Sequence, residues 1–330
     1  MEALPTAGRS RARLARLLAS LRPAGTWRIV LFLVLARGRR VALELLGRRT
    51  GEREPSTEGE TFLRSPRAPS DDRPFPNRIY QTWKSKDRLP ANYRAWSRTF
   101  RELNPTFEFV LWDDEDNRKF VETRYPTFLP IYDAYPREIY RVDAVRYLFL
   151  FHYGGLYADM DCQCLLPLES TFRDADVWLG RMGQDLGFRH SIPNAIMAST
   201  PRQEFWLWVV HCLIQRAAVG AKEMLLRGPE NITGPILLKD AVDRYLSGDR
   251  RIVAESIRSL AGRLRAPWHG EVSRIRVLDH DAWYPIDWTN PIHQRFRREI
   301  LRGQLVLGRR VARWLFPRSS IVTYWTRSWG

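Results

Sequence analysis

Between Glu138 and Cys164 the chain passes through a helix pattern, a glycine pair and a strand pattern that ends on two carboxylates, and few folds accommodate that order. Ile139, Val142, Val145 (beside Arg146) and Phe149 recur at helical spacing. Gly154-Gly155 then supplies the stop, because glycine readily takes the left-handed conformation that ends a helix. Leu156-Tyr-Ala-Asp-Met-Asp161 alternates as a strand does, so Leu156, Ala158 and Met160 share one face and Tyr157, Asp159 and Asp161 the other. Two carboxylates about 7 Å apart on one face, at roughly 3.3 Å per residue, repel each other unless a cation lies between them. Mg2+ or Mn2+ held by one or two carboxylates, with phosphate oxygens completing the shell, is the usual arrangement around a nucleoside diphosphate. An isolated Asp-x-Asp is more often a plain acidic strand end; here the apolar helix, the glycine pair and the surrounding α/β pattern favour the metal.

The segments upstream set that strand in a sheet. Asn77-Arg-Ile-Tyr-Gln-Thr-Trp83 predicts a first strand, Tyr93 to Leu103 a helix stopped by Asn104-Pro105, and Phe107 to Trp112 a second strand. Asp113-Asp-Glu-Asp116 opens another helix, where carboxylates suit the positive end of the dipole. The β-α-β-α order predicts a parallel sheet with ligands beyond the carboxyl ends of its strands. One continuous domain over residues 76–330 is expected, preceded by a Glu/Ser/Pro/Arg-rich linker over 50–75 and a basic, partly apolar segment over 1–49.

Charge distribution restricts the partners. The net charge of +16 divides into +9 over residues 1–50, +8 over residues 291–330 and −1 between them, so the body of the protein is neutral. A nucleic-acid groove needs its positive charge spread over the folded surface, and no nucleic acid is expected. The apolar run Ile29–Ala36, bounded by Arg28 and Arg37, is too short to span a bilayer, which takes roughly 20 residues. Together with Leu305, Val306, Leu307, Val311, Trp314, Leu315 and Phe316 among the C-terminal arginines, it suggests two basic amphipathic ends lying on an anionic membrane. Solvated helix faces are the alternative. Three cysteines, Cys162, Cys164 and Cys212, are too few for a disulfide framework in a chain of 330 residues.

The chain resembles the DXD-containing glycosyltransferases of family 32, a group that includes α-mannosyltransferases and inositol-phosphoceramide mannosyltransferases. The matching segments are Pro76–Trp83, Asn104-Pro105 with Leu111-Trp-Asp113, Arg141–Tyr147, Tyr153–Asp161, Pro193–Ser199, Thr233-Gly-Pro235 and Ser328-Trp329. The resemblance implies a GT-A-type (Rossmann-like) α/β fold and a metal-dependent, retaining transfer of a hexose. The donor would be a GDP- or UDP-hexose, and the acceptor a lipid, a lipid-linked glycan or a polysaccharide. It makes Asp159 and Asp161 the catalytic metal ligands, with Ser328 a third candidate. Gln81, Thr82, Trp83, Asp143, Arg146, Gly154, Gly155, Asn194 and Trp329 become donor-binding candidates. For Asp143 and Arg146 an i,i+3 ion pair remains open, for Trp83 a core role and for Asn194 a turn role. The implied location is peripheral on a membrane, on the cytoplasmic face in a bacterium or in the Golgi in a eukaryote. A catalytically silent sugar-nucleotide-binding or membrane-surface protein is the alternative function.

Overall fold

The computed structural model describes residues 28–33, 47–49, 75–185, 187–303 and 305–326. Six strands form the central sheet: β1 (Arg78–Thr82), β2 (Glu108–Trp112), β3 (Gly155–Ala158), β4 (Val177–Gly180), β5 (Ile196–Ser199) and β6 (Ile275–Leu278). Their spatial order is β2-β1-β3-β5-β4-β6. The pairs β2-β1, β1-β3 and β4-β6 are parallel, whereas β3-β5 and β5-β4 are antiparallel. The α/β class is as the sequence predicts, but the sheet is mixed rather than parallel. Short strands of four residues at β4 and β5 left too little alternation to read direction from sequence.

The helices that matter for the site are α1 (Ala91–Leu103), α2 (Asp114–Arg124), α3 (Glu138–Tyr153), α4 (Glu204–Ala217), α5 (Pro235–Ser247), α6 (Arg250–Leu264) and α7 (Pro291–Arg302). Asp113 caps α2 through a reciprocal box with Asp116, the carboxylate-rich start expected there. Helix α3 is buried along most of its length and crosses one face of the sheet, packing against α2 and α4. It stops at Gly154 (φ +65°), and Gly155 (φ +96°) follows. A Cβ on Gly154 would lie 2.7 Å from the Pro201 nitrogen and 2.8 Å from the Ser199 carbonyl, so the pair lets α3 fold directly back into β3.

Two cores flank the sheet. Tyr157 joins Tyr80, Trp112 and Phe149 on the α3 side. Leu156, Ala158 and Met160 join Ile79, Trp178 and Trp283 on the other, which reproduces the alternation read from the sequence.

The C-terminal region is built into that second core. An antiparallel ribbon pairs Cys162–Cys164 with Ile321–Thr323, and a second pairs Gly47–Arg49 with Leu305–Leu307. Residues 28–33 are helical; Ile29 and Phe32 are buried, Phe32 lies edge-on to Phe296 at 5.4 Å, and Arg28 donates to the Trp314 carbonyl at 2.6 Å. These two stretches, placed by the sequence outside the domain, pack on it. The C-terminal apolar residues expected at a membrane also need correcting: Leu305, Leu307, Leu315 and Phe316 are buried core, and Trp314 is the exposed one. Segments with mixed arginine and leucine look alike whether their apolar side meets lipid or protein. No described helix is long and apolar enough to cross a membrane.

Candidate functional site

Strand β3 ends at Ala158, one residue before the first carboxylate of the pair. The Cys162 amide donates to the Asp159 carbonyl at 3.1 Å, so Asp159 and Asp161 sit in a tight turn between β3 and the ribbon strand, not on the strand itself. Each carboxylate is held differently. Asp161 accepts from the Thr323 hydroxyl at 3.2 Å on Oδ1, and on Oδ2 from both the amide (2.7 Å) and the hydroxyl (3.0 Å) of Thr326. Asp159 Oδ1 accepts from the Tyr157 hydroxyl at 2.8 Å and faces an Arg146 guanidinium nitrogen at 3.2 Å. No donor among the described residues reaches its Oδ2. The Asp159 side chain retains 34% exposure. Burial of the rest pushes its carboxyl up to about 7, with the Asp161 charge adding and Arg146 opposing.

Arg146 connects the turn to α3. One of its nitrogens also donates to the Asn194 carbonyl at 2.7 Å, another pairs with Asp143 at 3.1 Å, and its guanidinium lies 4.5 Å over the Tyr157 ring. Asp143 in turn accepts from the Asn194 amide at 3.0 Å and the Thr233 hydroxyl at 3.1 Å. Burial raises the Asp143 carboxyl, and Arg146, Asn194 and Thr233 pull it back. The i,i+3 ion pair and the cavity-facing role, open alternatives in the sequence, coexist: Asp143 and Arg146 are paired, almost fully buried, and both border the same cavity. Asn194 is both the turn residue after Pro193 and a partner of that pair.

That cavity measures about 570 Å³, within the usual range for a ligand site. Thr82, Trp83 and Lys84 border it at the carboxyl end of β1, where ligands bind in open α/β sheets. Of the candidate residues, Thr82, Trp83, Asp143, Arg146, Asp159, Asp161 and Asn194 meet here. Gln81 lies just behind, donating to the Asp159 carbonyl at 3.2 Å. Gly154 and Gly155 do not border the cavity; they lie at the start of β3 against Pro201 and Arg78 and act on the fold. Ser328 and Trp329 lie outside the described residues. Sequence reasoning missed Thr323 and Thr326, which hold Asp161, and Tyr157, whose hydroxyl lies 3.1 Å from that of Thr82. Tyr157 shares the carboxylates' strand face and was legible in the alternation; Thr326 meets Asp161 across 165 positions, and no local pattern signals it.

The residues present fit a divalent cation. The turn offers hard carboxylate oxygens, one of them on Asp159 without a protein donor among the described residues. Six acids border the cavity (Asp114, Glu138, Asp143, Asp159, Asp161 and Glu230) against Lys84, Arg137 and Arg146 as fixed cations. A diphosphate entering this excess of negative charge is repelled unless a cation accompanies it. No group of three or more acidic, histidine or cysteine ligands converges among the described residues, which leaves other positions to phosphate oxygens and water, as Mg2+ sites commonly do.

Residues 90–178 match the family described as the glycosyltransferase sugar-binding region containing the DXD motif, and the match includes α3, the glycine pair and the Asp159–Asp161 turn. Inositol phosphoceramide mannosyltransferase 2 of Schizosaccharomyces pombe is 35% identical over 143 residues, 43% of this chain and 39% of that protein. The initiation-specific alpha-1,6-mannosyltransferase of Saccharomyces cerevisiae is 29% identical over 133 residues, 37% of this chain and 28% of that protein. The matched part thus spans well under half the length of either relative. Among solved structures, the PaToxG glycosyltransferase superposes with a TM-score of 0.41 at 14% identity, covering 58% of this chain and 79% of that one. The part of the chain that carries α3, the glycine pair and the Asp159–Asp161 turn is thus the part that is similar to DXD-containing glycosyltransferase sugar-binding regions.

Proposed function

We propose that the protein is a retaining, divalent-cation-dependent hexosyltransferase of GT-A type. It moves a hexose, mannose being favoured by the names of its relatives, from a GDP- or UDP-sugar to a lipid, lipid-linked glycan or polysaccharide acceptor. The observation that carries this reading is the opening of the Asp159–Asp161 turn and the Asp143–Arg146–Asn194 cluster onto one cavity beyond the carboxyl end of β1. Asp159 and Asp161 would hold Mg2+ or Mn2+, which when bound neutralises charge developing on the leaving diphosphate.

The remaining work falls to the chain. Tyr157 and Arg146 fix one carboxylate and Thr323 and Thr326 the other, so neither has to reorganise when the donor enters. Asp143 and Asn194 present polar groups to the donor sugar. In a front-side displacement the acceptor oxygen bonds to the anomeric carbon as the carbon–oxygen bond to the diphosphate breaks, and the acceptor proton passes to the departing phosphate oxygen. A double displacement through a protein carboxylate is the mechanistic rival; Asp185 does not border the cavity and accepts from the Gly187 amide at 2.8 Å, whereas Asp114, Glu138 and Glu230 do border it. Peripheral attachment to an anionic membrane, in the Golgi of a eukaryote or on the cytoplasmic face of a bacterium, completes the proposal. It now rests on the exposed arginines and Trp314 rather than on the buried leucines.

A panel of GDP- and UDP-hexoses incubated with the purified chain tests the reaction. One donor is expected to be consumed with Mn2+ or Mg2+ and spared with a chelator, and NMR of the product should show the donor's anomeric configuration. Consumption unaffected by the chelator, or an inverted product, overturns the corresponding part of the proposal. Flotation with anionic vesicles at low and high salt tests the attachment; no binding at low salt overturns it.

A further inference from the structure

One wall of the cavity is built of packed rings. Trp288, Trp325 and His190 border it together. Trp288 meets Trp325 edge to face at 4.7 Å and lies 5.5 Å from the His190 ring, which stacks on Phe188 at 5.5 Å. The wall is held in place from several directions. The Trp325 indole donates to the Ile286 carbonyl at 2.9 Å and stacks on Tyr284 at 5.4 Å, while Arg297 grips the Tyr324 and Trp325 carbonyls at 3.1 and 2.7 Å. Trp325 also has φ +53°, a left-handed conformation that a bulky residue avoids and that tends to persist where a site demands it. The loop carrying His190 is closed by the Met182 amide on the Ser191 carbonyl at 2.9 Å.

The sheet order says which substrate meets this wall. The Asp159–Asp161 turn follows β3, at the middle of the sheet. Thr82, Trp83 and Lys84 follow β1, on the parallel side of β3. Trp288 lies beyond β6, the outermost strand on the other side, and His190 lies between β4 and β5 on that same side. A nucleotide sugar with its diphosphate at the turn and its nucleoside at β1 leaves the aromatic wall to the second substrate. Flat rings beside the acidic Asp159–Asp161 turn suit a ligand with an apolar C–H face and a hydroxylated rim.

We infer that Trp288, Trp325 and His190 form the acceptor subsite, and that it takes a six-membered polyol ring, a pyranose or an inositol, by its C–H face. This rests on the hexosyltransferase reading above, and the test separates the two. Saturation-transfer NMR is recorded on the full chain with Mg2+, using four probes: GDP, UDP, methyl α-D-mannopyranoside and myo-inositol. One nucleotide and at least one ring are expected to bind, the ring that binds showing whether a glycan terminus or an inositol headgroup is preferred. Trp288→Ala should weaken the ring at least tenfold while leaving the nucleotide within about twofold, and Trp288→Phe should restore the ring. His190→Ala supplies the same comparison if Trp288→Ala does not fold. Absence of both nucleotides defeats the hexosyltransferase reading; a bound nucleotide with no ring bound, or a ring unaffected by these substitutions, overturns the subsite.

Discussion

Thr326 donates both its backbone amide and its hydroxyl to the same oxygen of Asp161, at 2.7 and 3.0 Å. The second carboxylate of the pair is therefore aimed by the segment that follows the Ile321–Thr323 ribbon strand. Thr326→Val keeps the size, the amide donor and the Thr323 contact but removes one of the two donors that fix Oδ2 of the carboxylate. Partners of this kind typically matter about 10- to 100-fold in metal affinity or activity. Mn2+ titration of donor consumption should show a loss in that range with an unchanged melting temperature.

Asp159→Asn and Asp161→Asn keep the shape of the turn and remove its charge. Each is expected to lower transfer at least about 100-fold, as follows if the cation stabilises the transition state by several kcal/mol. Circular dichroism should remain that of the parent. Near-normal, metal-dependent turnover in Asp161→Asn contradicts the assignment.

Asp143 should affect folding as well as the donor. Its side chain and that of Arg146 are only 7% and 4% exposed, and removing one partner of a buried pair commonly costs about 3–5 kcal/mol. Asp143→Ala is expected to melt early. Asp143→Asn retains an acceptor for Thr233 and should melt closer to the parent, while its requirement for donor rises; urea melts and donor titrations separate the two effects.

Acid should weaken the contribution of two buried imidazoles to stability. Burial pushes both His152 and His293 down to about 4, and each has a ring nitrogen engaged: His152 Nδ1 lies 3.0 Å from the Tyr125 hydroxyl, and His293 Nδ1 accepts the Asp287 amide at 3.0 Å. Between the unfolded value near 6.5 and that folded value, the unfolded chain binds protons that the native one does not. Their contribution to stability therefore falls as pH drops through this window, by about 1.4 kcal/mol per pH unit for each imidazole. The Asp159 and Asp114 carboxyls, raised to about 7 and about 6, contribute with the opposite sign, so the imidazole effect is read by difference: the urea midpoint of His293→Gln, which can still accept the amide, should gain on that of the parent between about pH 6.5 and 4.5.

Gly154→Ala addresses the glycine pair as fold rather than site. The left-handed backbone alone costs a non-glycine residue about 1–2 kcal/mol, and the Cβ collides with the Ser199–Pro201 backbone besides. A loss above about 2 kcal/mol is expected in chemical unfolding. Nucleotide affinity of the folded fraction should be unchanged.

Much of the α3–β3 side of the cavity was legible because its signals are local. The period of Ile139, Val142, Val145 and Phe149 gave α3, Gly154-Gly155 its stop, and the alternation from Leu156 the two faces of β3. The mixed sheet was not legible, because strand direction depends on crossovers that four-residue strands do not record. The carboxylate pair was found, but its turn and its supports were not: Thr323 and Thr326 reach it from more than 160 positions away. The apolar residues of the C-terminal basic segment misled for a physical reason. An amphipathic pattern specifies that one face is buried, not what buries it, and Leu305, Leu315 and Phe316 are covered by the protein itself.

The ribbon between Cys162–Cys164 and Ile321–Thr323 also bears on when this site comes into being. Synthesis delivers α3, β3 and both aspartates some 160 residues before the strand that fixes Asp161, and contacts so distant in sequence form late because a long loop must close first. A chain still emerging from the ribosome can assemble β1, β2 and β3, yet its carboxylate turn stays unsupported. The turn is then completed at the end of folding, and any ligand that needs it reports that the whole domain has closed.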